Sequence, residues 1–254
     1  MSVTNLETRN NSIEPDSYHQ ERVDLAAVFR WTARMNMHES VANHFSLAVS
    51  DDGTKFLVNP RGRHFSRIRA SELLLLDAND DTTMDQPNAP DPTAWCIHGA
   101  MHRKLPQARC LLHVHPKYAT ALASLEDSSM PPIDQNTARY YGRVAIDDGF
   151  GGMGLGDEAE RLTTTLGNKS VLLMGNHGVM VTATTVSQAF DELYYYERAC
   201  ETLITALSTG RKLRVMPDEI AQLTAQQWMD YPDDELHLNA IKEILDEEEP
   251  DYRT

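Results

Sequence analysis

The stretch Cys110-Leu-Leu-His113-Val-His115-Pro116, continuing into the alanine-rich run Tyr118–Leu125, passes from strand to helix within a few residues. Five apolar or β-favouring positions read as a buried strand, and Pro116 cannot continue its ladder. The alanines that follow favour helix. Side chains two apart on a strand share a face, so His113 and His115 present two imidazoles side by side near the C-terminal end of the strand. Ligand sites of open α/β sheets form at such ends. The pair alone permits two readings, two metal ligands or two histidines hydrogen-bonded on a polar sheet face.

Working upstream, Pro92-Thr93 opens a helix that carries Ala94-Trp-Cys-Ile-His98 and His102 and stops before Pro106. Residues 78–92, rich in Asp, Asn and Pro, read as a loop, and Leu73–Asp77 as a strand. Phe45–Val49 and Lys55–Val58 flank the turn residues Ser50-Asp-Asp-Gly53-Thr, which predicts a hairpin. Val23, Ala26, Ala27, Arg30, Trp31 and Arg34 recur at helical spacing from Tyr18 to about Met37. Downstream, 126–142 reads as an irregular loop, Arg143–Ile146 as a strand, and Asp148–Gly156 as a glycine-dense loop. The last lacks the lysine of a Walker loop, and no strand feeds straight into it with dinucleotide spacing. A helix over Asp157–Leu166, strands at Ser170–Met174 and Val179–Thr182, and a long helix over Thr185–Ser208 complete the body. Strands and helices interleave without a repeat or linker, which predicts one α/β domain over 18–210. Residues 1–17 are expected to form a loose tail, and 211–254 an acidic helical arm packed on the domain or on a neighbouring subunit.

The 254 residues carry a formal charge of −15, with 41% hydrophobic residues. That length supports a large core. The acidic surface repels nucleic acid and anionic lipid, and no apolar run approaches the roughly 20 residues of a membrane span. The first residues lack a signal-peptide pattern. Cys96, Cys110 and Cys200 are odd in number, widely spaced and without CxxC, and are expected to be reduced and buried. A cytoplasmic location is the expectation.

Between the last two strands lies Gly175-Asn176-His177-Gly178. His177 is either a capping residue of the turn or a third imidazole completing a three-histidine set with an open coordination position, the pattern of catalytic zinc. On the Pro92–His102 helix, His98 and His102 lie four and eight residues beyond Ala94 and share its face. His98 either shuttles protons beside a metal or makes a structural hydrogen bond. Asp134, Tyr140 and Tyr141 are further acid/base candidates, with ordinary loop and core roles as the alternative. Arg61, Gly62, Arg63, His64, Arg67 and Arg69 form a basic cluster in an acidic chain, either an anion hook or a source of intersubunit salt bridges.

The runs CLLHVHPKYATALASL and VLLMGNHGVMVTATTVSQAFDELYYYERAC resemble the two histidine-bearing segments of the class II aldolase/adducin family. ANHFSLAV, FLVNPRG and AWCIHGAMHRKLPQARC fit in the same order, so the likeness spans roughly Val23–Leu207. The resemblance implies a three-layer αβα sandwich around a mostly antiparallel sheet. It implies a divalent metal on His113, His115 and His177, of the zinc type with manganese, cobalt or iron as alternatives. It implies, for the enzymes of the family, a homotetramer with sites at subunit interfaces. Asn43 and His44 match the family's N-terminal phosphate-contact stretch, and Gly62 its phosphate-loop glycine. Thr93 is an expected contact for the anion.

One departure stands out. The family's aldolases carry Ser-Ser-Glu-Trp at the start of the helix before the histidine strand, and the glutamate is the acid/base. Here the run is Pro92-Thr93-Ala94-Trp95. No tyrosine occupies the family's catalytic tyrosine position near Pro131–Gln135. The expected function is metal-dependent lyase chemistry, of aldolase or decarboxylase type, on a small anionic hydroxy- or keto-compound. The alternatives are an adducin-like scaffold without catalysis, or an epimerase or dehydratase on the same fold.

Overall fold

The computed structural model describes residues 17–152 and 157–254. Among these residues seven strands form one sheet in the order β3-β2-β1-β4-β7-β6-β5. Chain order runs α1 (His19–Arg34), β1 (His44–Ala48), β2 (Lys55–Val58), β3 (Leu74–Asp77), α2 (Pro92–Lys104), β4 (Cys110–Val114) and α3 (Lys117–Ala123). It continues with α4 (Gln135–Arg139), β5 (Val144–Asp147), α5 (Glu158–Leu166), β6 (Val171–Met174), β7 (Gly178–Ala183), α6 (Val186–Ser208), α7 (Asp218–Asp230) and α8 (Asp234–Glu248). Among the described residues only β5 and β6 pair in parallel; every other strand pair is antiparallel.

The two-residue strand period sorts the core into layers. Cys110, Leu112 and Val114 of β4, with Val179 and Val181 of β7, pack against α3 and α6 and share one core with α1 and α8. Leu111, Leu172 and Met180 point the other way, onto Ile97 and Met101 of α2 and Leu162 and Leu166 of α5. The result is a three-layer α/β/α sandwich. By the same alternation His113 and His115 follow Leu111 onto the α2 side. In β1, Phe45 and Leu47 enter the larger core while His44 and Ser46 face α2.

Several boundaries differ from the sequence reading. The first helix ends at Arg34, because Asn36 adopts a left-handed φ of 54°. The loop expected over 126–142 contains α4, nucleated by Asp134, whose carboxylate accepts from the Thr137 amide. The C-terminal stretch is two helices, broken at Tyr231-Pro232; α7 packs on α4, and α8 packs on α1 and α6. Cys96 is exposed, contrary to expectation, because it lies on the outer side of α2; Cys110 and Cys200 are buried, and all three are free thiols. The expected N-terminal tail lies outside the described residues apart from Ser17, as do Met153–Gly156 of the glycine-dense loop.

Candidate metal centre

His113 and His115 sit at the end of β4, and His177 sits on the turn between β6 and β7, the two strands that follow β4 in the sheet order. Two local features bring them together. Asn176 takes a left-handed φ of 56°, which asparagine tolerates better than most residues and which turns His177 toward β4. At Gly178, a Cβ would lie 2.5 Å from His115 Cδ2 and 2.7 Å from the Val114 carbonyl, so only glycine lets the strands approach this closely. The His177 ring lies 4.9 Å from that of His113 and 4.7 Å from that of His115. One ring nitrogen from each of the three falls within 4.8 Å of the others.

Hydrogen bonds fix which nitrogen faces inward. His113 Nδ1 lies 3.0 Å from the Val179 carbonyl, and His115 Nδ1 lies 2.7 Å from a Glu39 carboxylate oxygen. Both acceptors require Nδ1–H, which leaves Nε2 of each ring as a lone pair. Those two Nε2 atoms are 3.1 Å apart. Two lone pairs at that distance repel unless a cation or proton lies between them. The donor set therefore fits a divalent ion held by neutral imidazoles, with Val179 and Glu39 orienting the rings from behind. Burial, with the neighbouring rings, pulls the pKa of His113 well down and that of His177 to about 4, so the neutral, ligating form prevails at neutral pH.

The three rings line a cavity of about 430 Å³. His44, Asp91, Thr93 and Phe150 also line it. Behind His44 runs a buried chain of polar groups between β1 and α2. Thr93 Oγ1 is 3.1 Å from His44 Nε2, and His44 Nδ1 is 2.7 Å from His98 Nε2. His98 Nδ1 is 2.5 Å and His102 Nε2 is 2.7 Å from the one hydroxyl of Ser46, and His102 Nδ1 reaches the Ala108 carbonyl at 2.6 Å. That carbonyl can only accept, so it sets every tautomer along the chain. His102 donates to it through Nδ1, Ser46 donates to His102, His98 donates to Ser46, and His44 donates to His98. His44 Nε2 is then a lone pair at the cavity wall. Thr93 spends its single hydroxyl proton on Asp91 at 2.6 Å, so the Thr93–His44 link is one proton short. Burial holds His44 and His102 at about 4 and His98 well below its usual range, which keeps all three neutral.

The other expected site residues distribute unevenly. Thr93 and His44 reach the cavity, whereas His98 is fully buried and meets it only through His44. Asn43 is buried and accepts from the Glu39 amide at 2.7 Å, which shapes the turn carrying Glu39. Arg61 is two-thirds exposed, with Nε 4.0 Å from Asp91, and so stands at the cavity rim. Arg63 is tied to Glu72 at 2.8 Å, and Gly62, at φ 77°, lies between the two arginines with open space beside it. Asp134 and Tyr140 are not brought into this cavity. Asp134 caps α4, and Tyr140 is buried, with its hydroxyl donating to the Glu192 carbonyl at 2.7 Å. Ala94 is buried in an apolar cluster with Phe56 and Val58 and is not among the residues that line the cavity. Sequence reasoning missed Glu39, Asp91, Ser46 and Phe150. Only Asp91 had a signal: an aspartate before a proline at the first helical position is a capping pattern.

The fold and the site define a class: an α/β/α sandwich that gathers three histidines from two strand ends into an open cavity. The model of the Class II Aldolase and Adducin N-terminal domain matches residues 23–204, and the chain belongs to that family. It is 30% identical over 204 residues to a Caulobacter vibrioides protein provisionally named as a class 2 aldolase, covering 80% of this chain and 79% of that one. An aldolase II superfamily protein from Pseudomonas syringae superposes with a TM-score of 0.84 at 30% identity, covering 96% of this chain and 98% of that one. The L-fuculose 1-phosphate aldolase of Glaciozyma antarctica shares the fold, with a TM-score of 0.79 at 21% identity over 100% of this chain and 97% of that one.

Proposed function

We propose that the protein is a metal-dependent lyase, of aldolase or decarboxylase type, acting on a small anionic hydroxy- or keto-compound. The observation that carries this reading is the 3.1 Å approach of the His113 and His115 Nε2 lone pairs, with His177 beside them, at the floor of an open cavity. A divalent ion held there, zinc or else manganese, cobalt or iron, supplies Lewis-acid polarisation of a substrate carbonyl or hydroxyl.

The chain's own groups account for the proton and the anion. With Ala94 in place of the family's glutamate, His44 Nε2 is the base. It accepts a proton from the substrate and then donates to Thr93 Oγ1, filling the link that is one proton short. The Asp91 carboxylate, bonded to Thr93, offsets the charge that develops on His44. His98 holds the His44 ring and its tautomer. Arg61, at the rim beside Asp91, anchors the anionic end of the substrate against the net charge of −15. Phe150, 5.9 Å from the His177 ring, limits water at the cavity mouth.

The likeness to the family extends the proposal to a homotetramer with sites at subunit interfaces, built from a metal-binding domain over 18–210 and a helical arm over 211–254. No helix among the described residues is long and apolar enough to cross a membrane, and a cytoplasmic location is proposed with the rest. The test is exchange of substrate C–H for C–D in heavy water, read by NMR. The protein is loaded with zinc or manganese and offered phosphorylated and carboxylated hydroxy-ketones. Metal-dependent exchange supports the lyase reading. A protein that takes up metal yet exchanges no C–H in any of them is instead a scaffold of the adducin kind. The apolar burial of Ala94 favours that second reading.

A further inference from the structure

The stretch 209–217, which joins α6 to α7, carries three exposed cations within four residues, Arg211, Lys212 and Arg214. The chain has 38 acidic residues, yet among the described residues no side-chain hydrogen bond or ion pair reaches any of the three. The stretch is nevertheless held in place. Leu213 packs on the larger core, and the Met216 amide donates to the Pro132 carbonyl at 2.8 Å. Apolar side chains along the same run are left in solvent: Val215 is 52% exposed, and Ile220 and Leu223, one turn apart on α7, are 46% and 54% exposed. A fixed, unpaired basic stretch flanked by exposed apolar groups has the composition of a docking surface.

The outer side of α8 has the opposite character. Leu236, Ala240 and Ile244 recur every four residues and so form one row along the helix. All three are exposed, Leu236 at 69%. Glu243 and Glu247 stand in the adjoining row, also exposed and also without a side-chain partner among the described residues. Leu238, Ile241 and Leu245, on the inward side of the same helix, fill the core, so the outer rows are not needed to hold α8 in place. Within one chain no ion pair joins the two surfaces. Both lie after residue 204, where the match to the family's domain ends. Each supplies what the other lacks, three free cations against two free carboxylates, with apolar side chains on both.

We infer that the basic stretch of one copy docks on the acidic outer face of α8 of a second copy. Two unlike surfaces meeting in this way make a heterologous contact, which closes into a ring or continues from copy to copy. A net charge of −15 drives copies apart at long range. The basic stretch opposes that repulsion at one place on the surface, and so sets the partner's register there. The contact stands apart from the three-histidine cavity and needs neither metal nor substrate.

The test is sedimentation velocity of the full chain at concentrations up to about 100 µM. A loop variant combines Arg211→Glu, Lys212→Glu and Arg214→Glu, and a helix variant combines Glu243→Lys and Glu247→Lys. All five positions are exposed and unpaired, so neither set removes a contact from the fold. The wild type is expected to associate, and each variant alone to do so at least about tenfold more weakly. An equimolar mixture of the two variants is expected to associate as the wild type does, because every acidic surface then meets a basic one. Damage to the fold cannot produce that recovery. Three results overturn the proposal: a wild type that is monomeric at about 100 µM, variants that associate as tightly as the wild type, or a mixture that associates no better than its components. A chain beginning at Ser17 that associates where the full chain does not also overturns it, by making residues 1–16 the occupant. A tetramer that persists in both variants leaves the family's assembly standing and removes this contact from it.

Discussion

The Nδ1 atom of His44, on β1, lies 2.7 Å from Nε2 of His98, on α2, deep beneath the cavity that holds the three-histidine cluster. This contact converts a fully buried histidine into a device that decides which nitrogen of His44 faces the cavity. Removing the His98 ring frees His44 to hold its proton on either nitrogen. The expected outcome for His98→Ala is a fall of about 10²-fold in proton-exchange rate while metal stoichiometry stays that of the wild type. Parallel measurement of exchange by NMR and of metal by elemental analysis separates the two. If rate and metal fall together, His98 supports the fold and not the base.

Glu39 was not foreseen as part of the site, yet its carboxylate holds the Nδ1–H of His115 at 2.7 Å. Such partners raise ligand basicity and fix ring orientation. Glu39→Gln is therefore expected to weaken zinc binding by about 10–100-fold, read by competition with a chromophoric chelator. Unchanged affinity would mean that the contact is a surface ion pair with no bearing on the metal.

Glu197 on α6 caps the start of α3, accepting from the amides of Tyr118 and Ala119 at 2.8 Å each, and burial pushes its pKa up to about 7. A carboxyl that binds its proton more tightly folded than unfolded contributes stability that is complete below its unfolded value. That contribution disappears as pH rises through about 7. Glu197→Gln cannot ionise, so the stability of the variant relative to wild type should rise between pH 5 and 8, by roughly 2–3 kcal/mol. Urea unfolding at the two pH values gives the difference. Equal differences at both would contradict the assignment.

Arg30 is 2% exposed, donates through Nε to the Ile68 carbonyl at 2.8 Å, and meets Glu249 at 2.9 Å and Asp251 at 3.1 Å. The two carboxylates are partly exposed and regain water when the arginine is lost, so the penalty sits at the low end for a buried pair. Arg30→Ala should cost about 3 kcal/mol, read as a lowered urea midpoint at unchanged slope. A loss below about 1 kcal/mol would place this contact among ordinary surface pairs.

All seven strands were legible because each is a short apolar run with turn residues at its ends, and the layers follow from alternation along β4 and β7. Helix α4 was not. Its five residues, Gln135–Arg139, are too few to show a period, and the signal lay in the Asp134–Thr137 cap. The three histidines could be named from strand period and family likeness. Their convergence depends on Gly178 and Asn176, whose left-handed or close-packed geometry a residue pattern only hints at. His98 was singled out for its place on the helix face. Its direct contact with His44, and the links that run on from it to Ser46 and His102, could not be read, because they depend on β1 lying beneath α2, a contact between residues some fifty positions apart.

The central claim is that His113, His115 and His177 together hold one divalent ion. Protein purified without chelators, stripped and reloaded with zinc, is to be measured for metal per chain beside the His177→Ala variant. About one ion per chain in the wild type, and loss of most of it in a variant that keeps its fold by circular dichroism, is the predicted result. Equal zinc in both proteins, or none in the wild type, would contradict it.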